Sequence, residues 1–294
     1  MTRVALVDLP RWFAAPAVVL VVLLGAHIGG ANPLQSALAV LAGLATMAAA
    51  HSYNSWHDYV ITGFDRGPVG GRSNPKPYTA GQSAIALGLA TPGQVLLVAF
   101  AWALAALFLG AILAFSSSPW VLVPIAVSLA CAPWYSTAKR LFHPEVPLCI
   151  GFAWMASLLG YFAGGETREW LKAILVSMPF FFLWAAAEHI DQAYDAPSDW
   201  PKGGRSLGML YAVKGIPLKW PILGLVAAAY ASQAALIAAG YLRTGTALTL
   251  LALVPTGFCL ALLDKKMDRA IPWGLGAIVL FLISLVVPEM VRLW

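Results

Sequence analysis

Residues 33–58, PLQSALAVLAGLATMAAAHSYNSWHD, decide how the chain is to be read. The stretch is apolar over roughly the length a helix needs to cross a bilayer, and it ends on the oxygen-bearing side chains of Asn54 and Asp58. Taken as a span at 34–55, it is one of nine. The others fall near 12–30, 94–115, 119–138, 146–164, 170–190, 218–240, 246–264 and 272–292. Close pairs separate at Ala31-Asn32-Pro33 and at Ser116-Ser117-Ser118-Pro119, where proline or a polar cluster marks a turn. Arg3 and Arg11 followed by an apolar run could pass for a signal peptide. The run continues to about Gly30 and further spans follow at once, so it reads as a retained first helix.

Composition agrees. The 294 residues are 60% hydrophobic and 11% charged, with a mean hydropathy of +0.78, whereas soluble domains carry about 25% charged residues. The expected fold class is all-α: a polytopic membrane protein with nine transmembrane helices around a central cavity, as a single integral-membrane domain over 1–294. Cys131, Cys149 and Cys259 lie in apolar runs without close spacing, which suggests neither a disulfide framework nor a zinc site. The net charge of +5 is dispersed among loops, so no nucleic-acid partner is expected. With nine spans, fourteen of the eighteen Lys and Arg residues fall on the face of the N-terminus and the even-numbered loops. Arg168, Lys172, Arg243 and Arg292 fall on the other. The positive-inside rule then places the N-terminus and those loops in the cytoplasm.

Six of the thirteen acidic residues sit in two places on that face. One is Asn54-Ser-Trp-His-Asp58-Tyr-Val-Ile-Thr-Gly-Phe-Asp65, at the end of the second span. The other is Glu188-His-Ile-Asp191-Gln-Ala-Tyr-Asp195-Ala-Pro-Ser-Asp199, at the end of the sixth. Asn54 and Asp58, like Asp191 and Asp195, are four apart and stack on one helix face. Pro197 is expected to end the sixth helix, leaving Asp199 to fold back from a loop. Ionisable groups at a bilayer boundary usually face a water-filled cavity. Clustered carboxylates need a cation, and hard oxygen donors suit Mg²⁺ shared with substrate phosphates. Arg66, Arg72 and Lys76 follow the first cluster, and Lys202 and Arg205 the second. Tyr135, Lys139 and Arg140 follow the fourth span. Such residues beside magnesium-bound carboxylates form a receptor for a diphosphate. Gly70-Gly-Arg72-Ser recurs as Gly203-Gly-Arg205-Ser, each Arg fourteen residues after an Asp. The echo suggests duplicated four-helix halves with the ninth helix as an addition.

In these motifs the chain resembles the UbiA superfamily of intramembrane prenyltransferases. Asn54-xxx-Asp58, Asp191-xxx-Asp195-xxx-Asp199, Gly203-Gly-Arg-Ser-Leu-Gly208, Pro75-Lys76-Pro77-Tyr78-Thr79-Ala80-Gly81 and Tyr135-Ser-Thr-Ala-Lys139-Arg140 fall in the family's order. Ser55 and Thr62 stand where many members carry acids. The remaining Asp58…Asp65 pattern is closer to the quinone-forming branch that prenylates dihydroxynaphthoate, with a gap one residue longer. The resemblance implies Mg²⁺-dependent transfer of a prenyl group from a prenyl diphosphate to an aromatic or lipophilic acceptor, in a prokaryotic cell membrane among its lipids. It implies metal ligation by Asn54, Asp58, Asp65, Asp191, Asp195 and Asp199. Arg72, Lys76, Tyr135, Lys139, Arg140 and Arg205 would contact substrate. Asp58, Asp191 and Asp195 would act in catalysis, and Asp65, in a mobile loop, would deprotonate the acceptor. An allylic cation needs a π-rich wall, and Tyr53, Trp134, Phe180, Phe181, Phe182 and Trp184 lie near the right depth. Two other readings remain: a cation-coupled transporter, and a catalytically reduced member of the family that binds lipid.

Overall fold

The computed structural model describes Leu6 and residues 9–66 and 84–291, all of whose regular elements are helical. Eight helical columns are long and apolar enough to cross a membrane, and a shorter apolar one spans Trp12–Ile28. The nine columns follow the nine expected spans. The first comprises a short 3₁₀ turn and α1 (Ala15–Ile28), followed by α2 (Pro33–Val60), α3 (Pro92–Ser116) and α4 (Leu122–Ala138). The fifth joins α5 (Glu145–Cys149), a π-helical turn (Ile150–Met155) and α6 (Ala156–Ala163). Next come α7 (Trp170–Asp199), a short α8 (Leu207–Lys214) and α9 (Lys219–Ala238). The last two columns are a 3₁₀ stretch (Thr244–Ala252) leading into α10 (Leu253–Leu263), and α11 (Met267–Met290).

The turn residues do what their chemistry allows. Asn32 caps α2 and Thr91 caps α3, each in a reciprocal pair with the Gln three residues on and with Pro in the first turn. In the 3₁₀ stretch, carbonyls that an α-helix would satisfy internally need other donors. Gln233 donates to Thr246 O and Tyr230 to Thr249 O. Backbone groups at membrane depth have no water to turn to, so these bonds keep the stretch viable.

Columns one and five cross on small residues. A Cβ on Gly25 would lie 1.9 Å from Ser157 O, and one on Gly160 would lie 2.0 Å from Val22 O. Gly29 and Gly164, each four residues further on, meet the opposite backbone as closely. Apolar surface gives little drive for association within lipid, so such backbone contact supplies the packing. It holds α5–α6 beside α1 and leaves space between α2, α4, the π-helical turn and α7. That space is the cavity described below.

Two expectations are corrected. Pro197 does not end α7; the helix continues to Asp199, which is buried in its last turn and capped by Gly204 N on Asp199 O at 2.8 Å. A proline in the final turn forfeits one backbone bond where a helix end loses little. Residues 207–214, which the sequence left outside the spans, form α8 on the side of α7. Gly208 makes this possible, because a Cβ there would lie 2.3 Å from His189 O.

Candidate active site

The C-terminal turn of α4 lies between the acidic ends of α2 and α7 and binds both. On the α2 side, Lys139 Nζ donates to Asp58 Oδ2 at 2.7 Å and to Asn54 Oδ1 at 3.2 Å. Asn54 Nδ2 donates to the same Asp58 oxygen at 3.0 Å, and Ser136 Oγ donates to Asn54 Oδ1 at 3.1 Å. All four side chains are buried. Burial alone would push the Lys139 ammonium down, but the Asp58 carboxylate and its hydrogen bond outweigh that and hold it above its ordinary value.

On the α7 side, Tyr135 OH donates to Glu188 Oε1 at 2.8 Å, and Gln192 Nε2 donates to that oxygen at 2.7 Å. Tyr135 and Lys139 lie one turn apart on α4, with the ammonium 4.8 Å from the phenol ring centroid. Glu188 opens the second cluster in the sequence but was assigned no role there. Its spacing of three before Asp191 was the available signal.

The loop after α2 closes over the first motif. Asp65 N donates to Asp58 O at 3.2 Å, Arg140 donates to Thr62 O, and Lys202 Nζ donates to Phe64 O and Arg66 O. These bonds tie the described part of the loop to Arg140 and Lys202. Burial and the neighbouring Asp58 charge push the Asp65 carboxyl up to about 7, against a smaller opposing pull from Lys139. Asp195 and Asp199 are also buried, and Asp199 is close enough to Asp65 to raise its pKa further.

One cavity connects the two motifs. Asn54 lines it from α2, Tyr135 from α4, and Glu188 and Asp191 from α7. Away from this polar mouth it runs between Gly43, Met47, Ile125, Met155 and Leu159. From Asn54 to Gly43 the helix rises about 16 Å. Between mouth and floor lies a stack of rings. Phe152 faces Trp184 at 5.7 Å and His51 at 5.6 Å, and His51 faces Phe13 at 6.4 Å. Of the aromatics picked from sequence, Trp184 alone lines the cavity. Trp134 is largely exposed, and Phe180 is buried against Trp184. Phe13, His51 and Phe152 were missed.

The basic residues divide. Lys139 reaches the acids. Arg205 instead lies over the Trp200 ring at 4.2 Å and donates to Trp200 O and Gly204 O, while its backbone N–H donates to Lys139 O. Arg140 lies over Phe64. Arg72 and Lys76, and with them the first copy of the Gly-Gly-Arg-Ser echo, lie outside the described residues. His57 Nδ1 is 4.0 Å from Asp58 Oδ1, and His189 donates to Ala185 O and stacks on Tyr211.

Among the described residues, no three His, Cys, Asp or Glu side chains converge closely enough to hold a metal by themselves. The donor set still fits a hard divalent cation. It is built of oxygens, and Asp58 Oδ1 and Asp65 Oδ2 are buried with no hydrogen-bond partner among the described residues. Mg²⁺ commonly takes one or two carboxylates and completes its shell with substrate phosphates and water.

Comparison with known proteins follows the same lines. A UbiA homolog from Aeropyrum pernix K1 superposes with a TM-score of 0.74 at 18% identity, over 93% of this chain and 97% of the other. A digeranylgeranylglyceryl phosphate synthase gives 0.63 at 15% identity, over 98% of each. A UbiA homolog from Archaeoglobus fulgidus bound to DMAPP and Mg²⁺ gives 0.52 at 16% identity, over 92% of this chain and 98% of that one. At these identities the likeness establishes the fold. No curated protein matches in sequence. The model of the UbiA prenyltransferase family matches residues 14–272, most of the chain, and the protein belongs to that family.

Proposed function

We propose that the whole chain acts as one enzyme unit, transferring a prenyl group from a prenyl diphosphate to an aromatic or lipophilic acceptor within the membrane, with Mg²⁺ as cofactor. The observation that carries this reading is a cavity lined at one end by Asn54, Tyr135, Glu188 and Asp191, with Lys139 bonded to Asn54, and by apolar residues and rings further in. Such a space suits a substrate with a charged head and a hydrocarbon tail. The Archaeoglobus homolog of the same fold, bound to DMAPP and Mg²⁺, supports the substrate class. The Asp58…Asp65 pattern favours an acceptor of the dihydroxynaphthoate, quinone-forming type.

Asn54, Asp58, Asp65, Asp191, Asp195 and Asp199 would hold the metal, whose charge offsets that of the diphosphate as it departs. Lys139 already stands at the first motif and would turn to the diphosphate oxygens. Tyr135 from α4 and Arg140 and Arg205 from the described loops, with Arg72 and Lys76, would complete that contact. The allylic C–O bond breaks with its electron pair leaving on the diphosphate. Trp184 and Phe152 offer π faces to the allylic cation. Once the acceptor has attacked, its proton passes to a base. Asp65, beside Asp58 in the loop after α2, would take it. The excess of Lys and Arg around the motifs argues for a cytoplasmic mouth, in a prokaryotic cell membrane.

The test is an acceptor screen with labelled geranylgeranyl and longer diphosphates in lipid nanodiscs. Mg²⁺-dependent prenylated product is the expected result. Diphosphate that stays intact with every acceptor and chain length, together with cation flux in proteoliposomes, would favour a transporter instead.

A further inference from the structure

His51 lies on α2 one turn before Asn54, on the same wall of the cavity. Its Nδ1 is 2.8 Å from Pro10 O. A carbonyl oxygen can only accept, so Nδ1 carries the hydrogen, and in the neutral ring Nε2 is left with a lone pair. No donor among the described residues pairs with Nε2. Two rings stack with the imidazole, Phe13 at 6.4 Å and 19° and Phe152 at 5.6 Å and 30°. Orientation is therefore set before any ligand arrives, and the ring can meet a ligand through its edge.

The depth matters as much as the orientation. From Asn54 to His51 the helix rises about 5 Å towards the apolar interior. A diphosphate held at Asn54, Asp58 and Lys139 places the first carbon of its prenyl chain just inside the mouth, and the acceptor has to meet that carbon there. We infer that His51 recognises the acceptor by taking a hydrogen bond at Nε2 from a hydroxyl or other N–H or O–H donor that the acceptor carries. The inference rests on the cavity being the prenyl-transfer site. It separates hydroxylated acceptors from etherified or fully alkylated ones of the same shape, because these would leave a buried lone pair unmatched.

Two substitutions divide the roles of the ring. His51→Asn keeps a donor near the Nδ1 position for Pro10 O and removes Nε2. His51→Gln puts an amide oxygen or nitrogen near the Nε2 position. The probes are 1-naphthol and its methyl ether, 1-methoxynaphthalene. Binding is titrated to protein in nanodiscs with Mg²⁺, both with and without geranylgeranyl thiodiphosphate. Wild type should prefer the naphthol by about five- to tenfold, the worth of one hydrogen bond. His51→Asn should erase that preference with an unchanged melting temperature and unchanged affinity for the ether, and His51→Gln should restore part of it. Wild type that does not discriminate, His51→Asn that still does, or equal losses for both probes would overturn the inference. Failure to bind the thiodiphosphate would instead count against the prenyl-transfer reading, while the naphthol comparison without it would still decide the role of His51.

Discussion

The acidic ends of α2 and α7 are alike in sequence, but α4 meets them through different chemistry. On α2, Asn54 and Asp58 share a buried ammonium. On α7, Glu188 is held by two neutral donors, Tyr135 and Gln192, beside Asp191 on the cavity wall. The contact of α4 with the first motif is thus a charge that an incoming metal must displace or compete with, and its contact with Glu188 is a neutral hydrogen bond. The last turn of α4 supplies Lys139 to the first and Tyr135 to the second, so it couples them. The four-residue spacing sets only which oxygens share a face; what pairs them comes from elsewhere in the chain.

The sharpest way to break the comparison is to remove one carboxylate from each side. Asp58→Ala and Asp191→Ala should each lower turnover by about 10²–10³-fold, as expected when a group that stabilises transferring charge is lost. Asp58→Ala also strands the Lys139 ammonium, whose side chain is only 6% exposed, at a cost of about 3–5 kcal/mol. Adding Lys139→Met to Asp58→Ala should recover the melting temperature and leave turnover lost. A melting temperature that the second substitution does not recover would refute the stranded charge.

A smaller effect is expected from the α7 side alone. Gly208→Ala drives a methyl against His189 O and should cost about 1–3 kcal/mol by loosening α8 from α7. Thermal unfolding would measure this, with the Lys139–Asp58 contact left intact.

The smallest effect concerns protons. Because the Asp65 carboxyl is raised to about 7, it is largely protonated below that pH and must release its proton to ligate metal. Mg²⁺ affinity should therefore rise with pH, by about tenfold per unit at most, and level off above 7. Direct Mg²⁺ titration across pH 5–9 would read it, and Asp65→Asn should flatten the profile. A flat profile in wild type would count against Asp65 as a ligand.

Much of the fold was legible because the bilayer writes it into the sequence. Each crossing needs about twenty apolar residues, and Asn32-Pro33 and Thr91-Pro92 mark helix starts in plain chemical terms. Asn54, Asp58 and Asp191 were found because carboxylates at the end of an apolar run are costly unless used. What was hidden depended on tertiary contact. Pro197 reads as a stop, yet α7 passes through it, and the Gly204 N–H caps Asp199 O in its final turn. The Lys139–Asp58 pair joins residues 81 positions apart, which no local spacing encodes. His51 was passed over, although its position three before Asn54 already put it on the acidic face.

The central claim is that the two motifs bind one metal-bearing diphosphate together. Its most direct test is Mn²⁺ electron paramagnetic resonance on nanodisc-embedded protein, titrated with and without geranylgeranyl thiodiphosphate. Tight Mn²⁺ binding should require the thiodiphosphate and should vanish in both Asp58→Asn and Asp191→Asn. Diphosphate-dependent binding that survives at full strength in either variant would contradict a shared site.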